Sequence, residues 1–290
     1  MLRSMNRLAL ERRAQIIGLL AEGNSLRAAS RLADVSINTV TKLLMDVGAA
    51  GEAYQDERLR GLRCKRIQCD EIWAFVYAKN KNVPKEHAGE FGYGDVWTWT
   101  ALDSETKLIP SWAVGRRDGF TASAFIRDLA DRLATRVQLT TDGHKVYLEA
   151  VEGAFGSAID YARLIKMYEG DSSPNAPAER RYSPAKCTGI HVQPITGNPD
   201  PDFISTSHVE RSNLTIRMSI RRFTRLTNAF SKKLDNHKAA LALHFMHYNF
   251  GRIHKTLRVT PAMEAGVADH VWSFAEIAQL AGSQGAPRSN

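Results

Sequence analysis

The sequence predicts an α/β protein, a mixed sheet flanked by helices, with a small all-α segment ahead of it. Three observations carry this. Three short capped helical patterns fill residues 8–48, three strand-like runs lie between 66 and 115, and helix then alternates with strand from 121 to 167. A chain of 290 residues is long enough for one sizeable α/β core and a satellite domain. With 43% hydrophobic and 24% charged residues, wholesale disorder is excluded.

Taken in order, Leu8 to Glu22 has Ile16, Ile17, Leu19 and Leu20 on its apolar side and stops at Gly23-Asn24. Ser25 caps a second helix from Leu26 to Ala33, Asp34-Val35 forms a tight turn, and Ser36 caps a third helix from Ile37 to Val47, ended by Gly48. Two helices joined by such a turn form a helix-turn-helix unit, whose second helix enters a major groove. Asn38, Thr39 and Lys42 are its polar candidates for base edges and phosphate, while Val40, Leu43 and Leu44 face inward. A plain three-helix cap is the bland alternative.

On this reading residues 1–50 are the helix-turn-helix domain, 51–65 a polar linker, 66–266 the main α/β domain and 267–290 a tail. Within the main domain, strands are expected at Arg66–Tyr77, Val96–Leu102 and Leu108–Gly115. A helix at Thr121–Ala134, a strand at Val137–Thr141, a helix from Lys145 to Phe155 and a strand near Ala158–Met167 follow. Residues 169–206 hold Pro174, Pro177, Pro184, Pro194, Pro199 and Pro201 and read as a long surface loop insertion. Ser207 to Asn249 reads as largely helical, broken near Leu226–Phe230 or Asp235.

No run approaches the roughly 18 apolar residues of a membrane span, and no signal-peptide core is present, so a cytoplasmic protein without membrane contact is expected. Three cysteines, Cys64, Cys69 and Cys187, suit a reducing compartment rather than a disulfide scaffold. A net charge of +8 favours a polyanionic partner. Much of that charge is local: between Ser207 and Lys233 lie Arg211, Arg217, Arg221, Arg222, Arg225, Lys232 and Lys233 against a single acid, Glu210.

Three acids stand out against this background. Asp70 sits in a run that is apolar on both parities, as in a central strand, and there a carboxylate is costly unless paired or metal-bound. Alternation does not choose between Asp70 and Glu71, which point to opposite faces. Asp142 follows Val137–Thr141 at a strand's carboxyl end, where open α/β sheets place ligands, and Gly143 permits a sharp exit. Glu210 opens a helix on which Arg217 and Arg221 fall within roughly 20° of its azimuth, a carboxylate followed by a guanidinium stripe. Such hard oxygen donors suit Mg²⁺ or Mn²⁺, which in pairs about 3.5–4 Å apart serve in-line displacement at phosphorus. Without metal, at least one of these carboxyl pKa values should rise.

The motifs Cys69-Asp70-Glu71-Ile72-Trp73, Thr141-Asp142-Gly143, His208-Val209-Glu210-Arg211-Ser212-Asn213-Leu214-Thr215-Ile216-Arg217 with Phe230-Ser231-Lys232-Lys233-Leu234, and Tyr248-Asn249 with Arg252, His254, Leu257, Thr260-Pro261 and Ala265 carry a likeness. On them the chain resembles bacterial insertion-sequence transposases of the DDE type, in particular the family of the first-numbered insertion sequence. The resemblance covers residues 66–266. It implies an integrase-like (ribonuclease H-like) catalytic fold, a catalytic and metal-binding triad of Asp70, Asp142 and Glu210, and cleavage and strand transfer on double-stranded DNA. A homo-oligomer on DNA, at the nucleoid of a bacterial cell, is implied with it. Arg217 stands where many such enzymes carry a basic residue after the last acid. Phe203 and Thr206 stand where many have Tyr and Arg, so no role carries over to them. Arg211, Arg221, Arg222, Lys232, Lys233, His254 and Lys255 are the remaining DNA-binding candidates.

Two rival functions remain at this level: a non-catalytic, domesticated DNA-binding regulator, and a ribonuclease H-like nuclease. A zinc site from Cys64, Cys69, Cys187 and His191 is disfavoured by its spacing. His237, His244 and His247 share a helix with Leu241, Phe245 and Tyr248 and read as packing residues.

Overall fold

The computed structural model describes residues 8–169, 186–224 and 228–283. Three helices come first: α1 (Leu10–Ala21), α2 (Leu26–Leu32) and α3 (Ile37–Arg58). The caps fall where the sequence placed them. Ser25 accepts the Ala28 N–H at 3.0 Å and Ser36 the Thr39 N–H at 3.2 Å. The turn between α2 and α3 has no glycine, and Asp34 takes the left-handed conformation there, φ 45°.

Gly48 does not end α3. The helix runs on for another ten residues to Arg58, so the expected linker at 51–65 is mostly helical. A Cβ at Gly48 would stand 2.7 Å from Ala239 Cα, and one at Gly51 would stand 3.4 Å from Met246 Cβ. Both glycines therefore serve the close crossing of α3 over α7 (Leu234–Met246). The crossing keeps the helix going where its local sequence suggested a stop.

The sheet has six strands in the order β3-β2-β1-β4-β5-β6. They are β1 (Arg66–Val76), β2 (Gly94–Asp103), β3 (Ser111–Gly115), β4 (Gln138–Thr141), β5 (Asp160–Glu169) and β6 (Lys186–Thr196). The first three form an antiparallel meander, β4 and β5 run parallel to β1, and β6 returns antiparallel on β5. The expected insertion at 169–206 is thus partly sheet. Its residues 170–185 lie outside the described residues, as do 225–227 within the expected helix break.

Helices α4 (Gly119–Arg132) and α5 (Val146–Phe155) cover one face, meeting Cys69, Trp99, Leu139 and Tyr161. The other face carries Ile72, Ala74 and Val76 against Val209 and Ile216 of α6 (Ser207–Ser219) and Leu241 and Phe245 of α7. A π turn at His247–Gly251, the short α8 (Pro261–Glu264) and α9 (Phe274–Ser283) complete the chain. The expected C-terminal tail is therefore partly a packed helix, with α9 lying against α1 and α3. Ile277 and Ala278 are fully buried there.

One continuous apolar cluster joins Ile16, Val40 and Leu44 of the N-terminal helices to Trp99, Phe125 and Tyr147 of the sheet layer. Asn249 reinforces the junction. It donates to Gln55 Oε1 of α3 at 3.2 Å and exchanges two 3.0 Å bonds with the backbone of Ile109. No helix among the described residues is long and apolar enough to cross a membrane.

Gly48→Ala tests the crossing. Helix propensity alone would favour Ala by about 1 kcal/mol, but the added methyl meets backbone atoms, and overpacking costs about 1–3 kcal/mol. We expect a lower Tm by thermal denaturation. A raised Tm would show that α3 is free of α7 at this point.

Candidate active site

The site is built at the point where β4 stops. The last β1–β4 pair is Cys69 with Thr141, so the next residue on each strand, Asp70 and Asp142, stands beyond the shared ladder. Here Asp70, Asp142 and Glu71 converge: one carboxylate oxygen from each lies within 4.8 Å of the others. The alternation rule places Asp70 and Glu71 on opposite faces. Past the end of β4, however, no strand separates those faces, and Asp142 reaches both.

Asp70 is held from two sides. Its Oδ1 accepts the Glu71 N–H at 2.9 Å and its Oδ2 accepts from Asn213 Nδ2 at 2.8 Å. Burial pushes its pKa up to about 7, and the negative charges of Asp142 and Glu210 add to the rise; the two donors only partly offset them. Glu71 is pushed up to about 8, again chiefly by burial and then by Asp142, with Arg117 acting the other way. Of the three expected acids, Asp70 shows the rise anticipated for at least one of them, and Glu71, outside that trio, is raised as well. Asp142 accepts the His144 N–H at 2.9 Å, fixing the turn after β4. Arg117 Nη2 lies 3.4 Å from Glu71 Oε2 and 3.8 Å from Asp142 Oδ2, and its guanidinium sits 4.7 Å from the Trp97 ring centroid.

Glu210 sits on α6 above this group but outside it. Its Oε1 is taken by the Lys166 ammonium of β5 and accepts from Thr206 Oγ1 at 2.6 Å. Of the three expected acids the structure thus brings Asp70 and Asp142 together, and the third carboxylate of the group is Glu71, not Glu210. The helix itself is placed by Gln68, two residues before Asp70 on the same face of β1. Gln68 Oε1 accepts the N–H groups of both His208 at 2.9 Å and Val209 at 3.1 Å. It thereby caps α6 from the sheet face beneath it, where Thr206 supplies no side-chain cap. The same docking brings Asn213, one turn after Glu210, onto Asp70.

The guanidinium stripe is not formed as expected. α6 ends at Ser219, so Arg221 and Arg222 fall in a 3-10 turn, and Arg217 Nη1 donates to the Phe223 carbonyl at 3.1 Å instead of lining an outer row. Arg211 and Arg221 are exposed and Arg222 is half-buried. Lys232 is exposed and lies 4.7 Å from the Phe230 ring centroid, and Lys233 is exposed at the start of α7. Asn38 is exposed on the first turn of α3, Thr39 shares a 2.9 Å hydrogen bond with the capping Ser36, and Lys42 pairs with Asp46 at 2.7 Å. Lys255 is exposed, whereas His254 is half-buried, its Nδ1 3.0 Å from Thr256 Oγ1. Burial, then Lys107 and Arg252, lower the His254 pKa. Tyr248 donates to the Lys107 carbonyl at 3.0 Å, a structural tie.

A cleft of about 770 Å³ opens between the α1–α2 corner and residues 219–222 and 228–232. Arg27, Arg31, Arg221, Arg222 and Lys232 line it, and no acid does among its described lining residues. Cys64 and Cys69 are buried and Cys187 is exposed on β6. His237 and His244 are buried packing residues, each with its pKa lowered to about 3, chiefly by burial.

Gln68, Asn213, Glu71, Arg117 and Lys166 were not among the expected site residues. Spacing carried a signal for the first two: Gln68 lies two residues before Asp70 on a strand, and Asn213 three after Glu210 on a helix. For Arg117 and Lys166 no local signal exists.

Two predictions follow from this geometry. Unfolded carboxyls ionise near 4, while Asp70 in the folded chain ionises near 7. The metal-free folded state therefore holds the extra proton between those values, and stability falls as pH rises through that window. In EDTA, Asp70→Asn should gain Tm relative to the parent as pH goes from about 5 to about 8. A gap that narrows with rising pH would contradict the site geometry. Gln68→Ala strands two N–H groups and should cost about 1–3 kcal/mol in denaturant unfolding, with faster amide exchange at Val209. Unchanged exchange there would remove Gln68 as the anchor of α6.

The chain matches no protein-family model and no curated protein.

Proposed function

We propose that this protein is a DNA transposase of the DDE type, with a ribonuclease H-like catalytic domain and a helix-turn-helix that reads the ends of its element. One observation carries the reading: Asp70 of the central strand and Asp142 at the end of its parallel neighbour meet beneath the helix that bears Glu210. An antiparallel meander continued by parallel β4 and β5 is compatible with a ribonuclease H-like sheet. The motifs around the three acids point the same way.

The donor set fits a hard divalent cation. Carboxylate oxygens within 4.8 Å of one another suit Mg²⁺ or Mn²⁺. The Glu71 Oε1 atom, buried with no hydrogen-bond partner at normal geometry among the described residues, leaves an acceptor open to a cation. Asp70 and Asp142 would hold the metal, joined by Glu210 once it leaves Lys166; when bound, the metal supplies the positive charge that stabilises the attacking and leaving oxygens at phosphorus.

The protein's own side chains supply the rest. Asn213 keeps the Asp70 carboxylate turned toward Asp142, and Gln68 holds α6 against β1. Lys166, released from Glu210, offers an ammonium to a phosphate beside the reacting bond. The acid-free cleft with Arg27, Arg31, Arg221, Arg222 and Lys232 suits a phosphate backbone, and exposed Arg211, Lys233 and Lys255 extend that positive surface. Exposed Asn38 at the start of α3, with Thr39 and Lys42 beside it, would read base edges on this reading. Two ends must be joined in one reaction, so the working form on DNA is a homo-oligomer, and its substrate locates it at the bacterial nucleoid.

The test is a plasmid carrying the coding region with its native flanks, incubated with the full chain in Mg²⁺ or in EDTA. Cleavage at the flanks is expected in Mg²⁺ alone, and Asp142→Asn should lower it by at least about three orders of magnitude. Cleavage that survives in EDTA or in that variant would overturn the reading.

A further inference from the structure

Glu71 has no part in an Asp-Asp-Glu triad, yet it is the most enclosed carboxylate at the site. Its side chain is 1% exposed. Arg117 donates to its Oε2 at 3.4 Å, whereas its Oε1 meets no donor at hydrogen-bonding distance and angle among the described residues, and the nearby Tyr147 hydroxyl is close enough only to lower its pKa. Leaving such a group unsatisfied is costly. Meanwhile an oxygen of Glu71 lies within 4.8 Å of both Asp70 and Asp142, while Glu210 is held by Lys166 and Thr206. Ligand oxygens about 2.1 Å from a Mg²⁺ ion stand roughly 3.0–4.2 Å apart in an octahedron. Small side-chain rotations would bring these three to that spacing.

We propose that Glu71 is a fourth carboxylate of the cation site, forming with Asp70 and Asp142 a cradle that takes a first divalent ion while Glu210 is still paired with Lys166. The proposal rests on the metal-dependent reading above and deepens it. Arg117 is the resident countercharge of this cradle. It spans Glu71 and Asp142, sits beside the Trp97 ring and is 41% exposed, so its head can turn toward solvent when an ion arrives. Glu210 then belongs to a later stage of loading, reached when Lys166 turns to another anion such as a phosphate of the bound strand.

Mn²⁺ binding to the full chain without DNA, followed by the electron paramagnetic resonance signal of free Mn²⁺, tests this directly. The wild type should take one ion per chain. Glu71→Gln should weaken it about tenfold or more, and Glu210→Gln should leave it within about twofold. Arg117→Gln, which removes a competing cation without touching a ligand, should tighten binding and guards against a folding defect in Glu71→Gln. The proposal falls if Glu71→Gln binds like the wild type, if Glu210→Gln loses the ion, if folded Arg117→Gln binds more weakly, or if the wild type takes no Mn²⁺. Flank cleavage that needs Mg²⁺ and Asp142, together with Mn²⁺ binding indifferent to Glu71, would remove Glu71 and leave the transposase reading standing. Mn²⁺ binding that depends on Glu71, with no cleavage of flanking DNA, would do the reverse.

Discussion

Negative charge crowded into a largely desolvated place is the constraint around which this molecule is arranged. Two charged carboxylates whose nearest oxygens lie within 4.8 Å of one another repel by about 3 kcal/mol or more at an effective dielectric of 20, and burial adds to the cost. Apolar packing on the same face outweighs it. Val209 and Ile216 of α6 are fully buried against Ile72, Ala74 and Val76 of β1, and each such side chain contributes about 1.5–3 kcal/mol. The core thus presses α6 onto the strand that bears Asp70, and that burial raises the pKa of Asp70. The site is an expense carried by the hydrophobic layer beneath it.

How much of this could be read from the sequence depends on distance along the chain. Local chemistry was legible: Ser25 and Ser36 cap as their positions suggest, and the strands and helices from Arg66 to Met167 fall close to their expected bounds. The meeting of Asp70 with Asp142 was legible too, because a central strand and a strand end are recognisable from apolar runs. Glu71 was not, since alternation sends it to the far face; only the shortness of β4, four residues long, lets it share Asp142. Nor was the capture of Glu210, which depends on Lys166 arriving from β5. Gly48 misled for a related reason. A glycine after a helical run looks like a stop, but here a distant helix approaches so closely that only glycine fits.

Fusion of the N-terminal helices with the sheet layer changes what those helices can do. Twenty-two residues of α3 make a rod about 33 Å long. Its first turn is exposed, whereas its second half is locked to α7 at Gly48 and to Ile109 through Gln55 and Asn249. On the proposed reading, an end sequence held by Asn38 is therefore registered to the carboxylates by continuous packed structure, without a flexible tether. The basic cleft at the α1–α2 corner abuts the same rod through Ile37 and Leu44. Recognition and positioning of phosphate then share one rigid frame.

On the proposed reading, the charges at the site would make metal and DNA favour each other. Lys166 occupies the carboxylate of Glu210, and Arg117 spans Glu71 and Asp142. A divalent ion needs those carboxylates, while a phosphate needs cations like Lys166 and Arg117. Either ligand, on binding, frees the groups that the other requires. Whatever free energy one ligand spends in breaking these pairs is spared to the second, so the coupling is necessarily reciprocal. Asp70 stands apart from this exchange because its partners are an amide side chain and a backbone N–H, which neither ligand needs to remove. The fixed member of the group is thus the one on the central strand, and the adjustable members are those that a cation or a phosphate must recruit.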